Sequence, residues 1–285
     1  MNRVLLLLTV LVLAMPAAAQ AIVPGKNGRV VFDTDRHGNS DIYSIDAAGG
    51  NKLRLTNSTD FEDNPSWSPD GQKIAYIRAQ QVWVMNADGS DQHQVTQFTQ
   101  DLRDPGWSPD GQRLIFATQE KGEDIWTIAA DGSDARQVTK TKGAEFEPSW
   151  SPKGNRIAYV RERSEDYRVV TANPDGTAKK VILPKFGDTQ LGPNWSPDGR
   201  KIMFYNVDDR VFVVNANGKK RHAIGYGASP TFSPDGKLFA YSEQDEEGEE
   251  GTIYSRGLAK GSKSTKLSPF KSRFLCDNPD WQTLP

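Results

Sequence analysis

The sequence predicts an all-β fold: a six-bladed β-propeller of four-stranded antiparallel blades, its ring closed by a composite blade built from both termini. Three observations carry that prediction. A seven-residue segment recurs along the chain, an apolar-x-aromatic strand follows each copy at a fixed offset, and the first and last copies are incomplete in complementary ways. Composition agrees with this reading. Of 285 residues 36% are hydrophobic and 25% charged, as in an ordinary globular chain, and the 25 glycines and 17 prolines are spread throughout, as many short elements joined by turns require.

The chain opens with Arg3 followed by an apolar run, Val4 to Met15, broken only by Thr9, and then by Pro16-Ala17-Ala18-Ala19-Gln20-Ala21. A positive start, a short apolar stretch and small-x-small sites after Ala19 or Ala21 are the anatomy of a secretory signal peptide, so 1–21 is expected to be a leader and 22–285 the propeller. The run is too short to span a bilayer as a helix. Cys276 is the sole cysteine, far from the cleavage site, so no lipid attachment is expected there, and neither an intramolecular disulfide nor a cysteine zinc cluster can form. The expected location is periplasmic or secreted. Formal charge is −2, or −3 once Arg3 leaves with the leader, and no basic block marks a nucleic-acid partner.

The first copy of the repeat, Gly28 to Thr56, supplies three strands (Val30-Val31-Phe32, Ile42 to Ile45, Leu53 to Leu55) but no leading Pro-x-Trp segment. That segment appears next as Pro65-Ser66-Trp67-Ser68-Pro69-Asp70-Gly71 and returns at Pro105 to Gly111, Pro148 to Gly154 (with Lys153 for Asp), Pro193 to Gly199 and Pro230 to Gly236 (with Phe232 for Trp). It ends truncated at Pro279-Asp280-Trp281, the intervals running from 37 to 49 residues. Pro-x-Trp-Ser reads as a first strand, and Ser-Pro-Asp-Gly as a turn, because Pro presets φ and Gly accepts a positive one. The second strand is Ile74-Ala75-Tyr76 and its equivalents at Leu114, Ile157, Ile202 and Phe239. A third, such as Gln81 to Met85 or Asp124 to Ile128, leads to an Asp-Gly or Asn-Gly hairpin. The fourth is weak and polar, at Gln92 to Thr96 or Arg136 to Thr139. Joining the three-stranded first copy to the lone last strand completes a sixth blade and removes the free edge.

Pro-x-Trp-Ser-Pro-Asp-Gly, the apolar-Ala-Tyr strand and the Asn86-Ala87-Asp88-Gly89 hairpin together resemble the WD40-like repeats of the TolB family, over roughly 28–283. The resemblance implies a propeller that binds proteins in the bacterial envelope, in the periplasm. Members of that family named TolB carry a separate N-terminal domain, which is not expected here because the repeats begin a few residues after the leader.

Trp67, Trp107, Trp150, Trp195, Phe232 and Trp281 recur once per blade and are expected to pack between blades. Function is expected at one mouth of the ring, where the residues before each leading Pro differ: Glu62-Asp63-Asn64, Leu102-Arg103-Asp104, Glu145-Phe146-Glu147, Gln190-Leu191-Gly192, Gly227-Ala228-Ser229 and Cys276-Asp277-Asn278. Asp63, Asp104, Glu147 and Asp277 are the expected anchors of a protein-binding surface, with Arg103 as counter-charge. The oxygens of Asp63, Asp104 and Glu147 also suit calcium, a basic protein segment, or plain solvation. Asp33 to Asp41 begins like a calcium loop but lacks its fifth and twelfth ligands and reads as a hairpin; the acid run Glu243 to Glu250 reads as a charged loop.

No catalytic motif of the hydrolase, metalloprotease or phosphate-loop kind is present, and His37, His93 and His222 fall on separate elements, so no enzymatic activity and no other cofactor are expected. The expectation is an exported protein-binding module; the alternative is a carbohydrate-binding or lyase-type propeller.

Overall fold

The computed structural model describes residues 23–119, 122–184, 187–244, 251–259, 261–268 and 276–285. The expected leader at 1–21 and most of the acidic run, 245–250, lie outside them. Among the described residues every regular element is a strand. Blade one takes β1 (Lys26–Thr34), β2 (Asp41–Asp46) and β3 (Leu53–Arg54) from the start of the chain. Blade two is β4 (Glu62–Trp67), β5 (Lys73–Arg78), β6 (Gln81–Asn86) and β7 (His93–Gln94). Blade three is β8 (Leu102–Trp107), β9 (Arg113–Thr118), β10 (Ile125–Ala129) and β11 (Arg136–Gln137). Blade four is β12 (Ala144–Trp150), β13 (Ile157–Arg163), β14 (Asp166–Ala172) and β15 (Lys180–Val181). Blade five is β16 (Leu191–Trp195), β17 (Lys201–Tyr205), β18 (Arg210–Asn215) and β19 (His222–Tyr226). Blade six is β20 (Ala228–Phe232), β21 (Leu238–Gln244), β22 (Gly251–Gly257) and β23 (Ser264–Lys266), after which β24 (Cys276–Leu284) completes blade one in the order β24-β1-β2-β3.

The seam forms as the truncated copies require. β24 pairs antiparallel with β1, placing Val30 opposite Trp281 and Asp33 opposite Asp277. Gln282 then ties the seam to blade two: Oε1 accepts the Arg29 N–H at 3.1 Å and Nε2 donates to the Gly71 carbonyl at 2.8 Å.

The repeated tryptophans lie between blades, as expected. Trp67 packs with Ile74, Tyr76 and Met85 of its own blade against Val31, Ile42 and Leu55 of blade one. Trp107, Trp150, Trp195, Phe232 and Trp281 repeat that arrangement around the ring. Emptying a buried aromatic site of this kind costs about 3–5 kcal/mol, which is why the aromatic position survives in every blade.

Two features differ from the sequence expectation. The outer strands β3, β7, β11 and β15 have only two residues each. Their ladder is cut short where a side-chain oxygen takes over: Thr56, Thr96 and Thr139 Oγ1 accept the N–H of Ile42, Val82 and Ile125 at 2.8, 2.9 and 2.8 Å, and beside β15 Gln190 Oε1 accepts that of Val169 at 3.0 Å. The innermost strands, by contrast, begin before the leading Pro rather than at it, so Asp63, Arg103, Asp104, Glu147 and Asp277 lie within strands and not on loops.

Candidate functional site

Each innermost strand carries a bulge at the residue before its Pro. Asn64, Asp104, Glu147, Gly192, Ser229 and Asn278 all adopt the left-handed conformation, with φ of 49°, 55°, 51°, 56°, 49° and 52°. Pairing with the next strand slips there, for instance between Asp63 and Ser66. A bulge of this kind re-aims a side chain, and here it turns the pre-Pro side chain along the ring toward the following blade.

A belt of hydrogen bonds results. Asn64 Oδ1 accepts the Asp104 N–H at 3.4 Å, Asp104 Oδ2 accepts the Glu147 N–H at 3.1 Å, and Glu147 Oε2 accepts the Gly192 N–H at 2.5 Å. Asp33 enters the belt from β1, accepting from the Asn64 backbone and, at 2.8 Å, from Asn278 Nδ2. The belt is interrupted at Gly192, where the Tyr205 ring stands so close that a Cβ would meet Cε1 at 2.8 Å. It resumes at Asp277, whose Oδ1 accepts from the Ser242 hydroxyl at 2.7 Å and the Asn278 N–H at 2.8 Å.

The expected anchors therefore divide. Asp104 and Glu147 are 2% and 0% exposed and bond blade to blade; Asp277 is buried beside Asp33; Asp63 is half-buried. Arg103 lies beside these carboxylates: Nε is 3.7 Å from Asp104 Oδ2, Nη2 pairs with Glu123, and the guanidinium lies 4.5 Å over the Phe146 ring. From sequence Asp33 entered only as the first residue of the calcium-like segment, not as a member of the channel ring. Its signal was available, because the equivalent positions of the other blades hold Ile77, Ala117, Val160, Tyr205 and Ser242, so Asp33 is the one ionisable carboxylate at that register.

Burial sets the electrostatics of this ring. It pushes Asp63 up to about 7, helped by the charge of Asp104. It raises Asp104 to about 6, against the pull of Arg103 and the Glu147 N–H. Glu147 rises to about 8 through burial and then Asp104, against the Gly192 N–H and the charge of Arg103; its other oxygen, Oε1, has no donor among the described residues. Asp33 is raised well above the carboxylate range by burial and by Asp277 and Asp63, and Asp277 is raised by burial. Near neutral pH the ring thus holds protons on carboxyl groups.

The calcium expectation at Asp63, Asp104 and Glu147 is not met by this geometry. Among the described residues no three His, Cys, Asp or Glu side chains gather closely enough to hold a metal ion. The reason is local: Asp104 and Glu147 each commit an oxygen to the next blade's backbone. The calcium-like segment is a hairpin between β1 and β2, pinned where Asn39 Nδ2 donates to the Ser58 and Asp60 carbonyls at 3.0 and 2.7 Å. His37, on that hairpin, and His93 and His222, on β7 and β19, are all exposed and apart from the ring interior. Cys276 is buried against Thr34 Oγ1 at 3.5 Å, and burial pushes its thiol up to about 12.

Comparison with known proteins agrees with the blade pattern. The family model described as the TolB β-propeller domain matches residues 64–281. The chain belongs to the TolB propeller family. It is 31% identical over 100 residues to the Tol-Pal system protein TolB of Francisella tularensis subsp. holarctica, an alignment covering 33% of this chain and 23% of that protein. The matched segment thus spans less than a quarter of that relative's length. The TolB crystal structure from Acinetobacter baumannii superposes with a TM-score of 0.78 at 18% identity, covering 91% of this chain and 68% of that one. An oligogalacturonate lyase from Vibrio parahaemolyticus shares the fold at a TM-score of 0.61 and 13% identity, covering 89% and 77%.

Proposed function

We propose that this TolB-family propeller is an exported, non-enzymatic binding module of the cell envelope, periplasmic or secreted, whose ligand is another envelope or secreted protein. One observation supports the reading above others. At the register two residues before each Pro, a scaffold that otherwise repeats presents six positions with Asp63, Arg103, Phe146, Leu191, Ala228 and Asp277. Such a graded ring suits one shaped partner, with the half-buried Asp63 carboxyl as the group that a basic segment would meet and hold ionised. The name of the Francisella relative, a Tol-Pal system protein, points the same way.

Affinity capture from envelope extract with the 22–285 protein tests this. Asp63 is the position to vary, because a lysine at buried Asp104 would unseat the belt instead of probing a surface. The expected result is one envelope protein retained by the native chain, lost with Asp63→Lys, and weakened with Asp63→Asn. A parallel capture with a calcium chelator is expected to retain the same protein. Capture unchanged by Asp63→Lys would remove the ring from the interface. No capture, together with turnover of uronate polymers, would replace the reading with the carbohydrate-active alternative.

A further inference from the structure

At the opposite end of the ring from the acidic residues, where the innermost strands end in their Ser-Pro-x-Gly turns, adjacent blades leave a cleft between them. The cleft between blades two and three, about 430 Å³, is lined by Asp70, Asp110 and Lys73, with Trp107 in its wall. The equivalent cleft between blades four and five, about 490 Å³, is lined instead by Lys153, Arg156, Lys180 and Arg200, against a single carboxylate, Asp198. One architectural position has therefore changed sign within the same molecule.

One charge-reversing substitution in the repeat and one changed pairing set this cleft apart, with Lys180 and Arg200 adding to its charge. Lys153 stands where the other four turns carry Asp70, Asp110, Asp198 and Asp235. Those aspartates accept from their turn serines, as Asp70 and Asp110 do at 2.6 Å; in the exceptional copy Ser151 donates to Asn155 Oδ1 at 3.3 Å, leaving Lys153 exposed. The changed pairing concerns an arginine found at the start of the second strand in three blades. Arg29 pairs with Asp46, and Arg113 pairs with Asp134 at 2.8 Å. Arg156 makes the same reach but meets neutral groups alone: Asn173 Oδ1 and Thr171 Oγ1 at 3.0 Å and the Ala178 carbonyl at 3.2 Å. Three of its five N–H groups are used, so two are left for a ligand.

The remaining members face the same way. Among the described residues Lys180 Nζ donates to the Asn217 carbonyl alone, at 3.3 Å. Asp198 is occupied by the Ser196 hydroxyl at 2.6 Å and the Arg200 N–H at 3.0 Å, and so offsets one of four cations. Trp195 and Ala216 form an apolar wall, and Asn155 and Asn217 border it with carboxamides. A planar guanidinium with free donors among lysines is suited to a doubly charged oxyanion, and the exposed carboxamides of Asn155 and Asn217 are suited to the hydroxyls of a sugar ring.

We propose that the cleft between blades four and five is a binding site for a phosphorylated sugar, a site separate from the channel and from the protein partner inferred there. Isothermal titration of the 22–285 protein at constant ionic strength, with glucose 6-phosphate, inorganic phosphate and glucose as probes, tests it. Glucose 6-phosphate is expected to bind more tightly than inorganic phosphate, and glucose not at all. Lys153→Asp, which installs the residue of the other turns and so leaves the fold intact, is expected to weaken binding at least about tenfold. Arg156→Gln is expected to do the same, and Lys140→Asp, on a different blade, to change nothing. Equal binding by the native chain and Lys153→Asp would overturn the site, as would no binding at 10 mM glucose 6-phosphate. Inorganic phosphate binding as tightly as glucose 6-phosphate would overturn the sugar part. Sedimentation with phosphatidylglycerol vesicles that is lost in Lys153→Asp would move the phosphate to a lipid headgroup and overturn the soluble ligand.

Discussion

The aspartates of the Ser-Pro-Asp-Gly turns and the carboxylates of the channel belt occupy the two ends of the same innermost strands, and they behave in opposite ways. At the turn, Asp110 is exposed and receives the Ser108 hydroxyl at 2.6 Å and the Gln112 N–H at 3.0 Å; the serine bond, the larger of the two, holds its carboxyl below the usual range. In the belt, Glu147 also receives a backbone N–H, at 2.5 Å, yet its carboxyl rises to about 8. A donor is present in both places, so hydrogen bonding alone does not decide. What differs is water: Glu147 is fully buried next to Asp104, and one N–H together with the charge of Arg103 does not offset desolvation plus a like charge.

The largest test of this contrast is the pH dependence of stability. In the unfolded chain these groups titrate near their ordinary values, 3.8 for Asp and 4.5 for Glu, whereas in the fold Asp104, Asp63 and Glu147 titrate near 6, 7 and 8. Between those limits the folded ring keeps protons that the unfolded chain has released, so stability falls as pH rises. Thermal melts from pH 5 to pH 8.5 should show Tm falling continuously, by several degrees or more. A flat profile would mean that water reaches the belt. The next largest effect is Glu147→Gln, which keeps an oxygen for the Gly192 N–H while removing the charge. At pH 8.5 it should raise Tm by about 2–4 °C, roughly 1 kcal/mol for a chain of this size, and at pH 5 it should change little.

Sequence disclosed the ring more fully than its interior. The period of the Pro-x-Trp segment, with a three-stranded start at Val30 and a lone strand at Trp281, was sufficient for six blades and the composite seam, because a missing strand and a spare strand have only each other to pair with. It also placed Trp67 and its equivalents between blades, since a residue repeated once per blade faces the same neighbour each time. The belt was not legible. Asp104 and Glu147 read as loop acids because the residue before a Pro marks the edge of an element in most chains. Here the left-handed turn of that residue lets the strand continue through it and sends the side chain to the next blade. Asp33 is visible only when the repeats are laid register on register.

The smallest effect closes the comparison at the turn end. Asp110→Asn retains an oxygen for the Gln112 N–H and the Ser108 hydroxyl but weakens both bonds, since a charged acceptor is stronger than an amide. On an exposed turn the loss should be below about 1 kcal/mol. Its pH signature has the opposite sign to that of the belt: a carboxyl held below its ordinary value contributes stability above that value and loses it as pH falls through the folded one. Melts of Asp110→Asn should therefore run slightly and uniformly below the native chain from pH 5 to pH 8.5 and converge with it near pH 3. A gap that opens only above pH 6 would assign the turn aspartate the desolvated behaviour found in the channel, and the distinction between the two ends of the strand would fail.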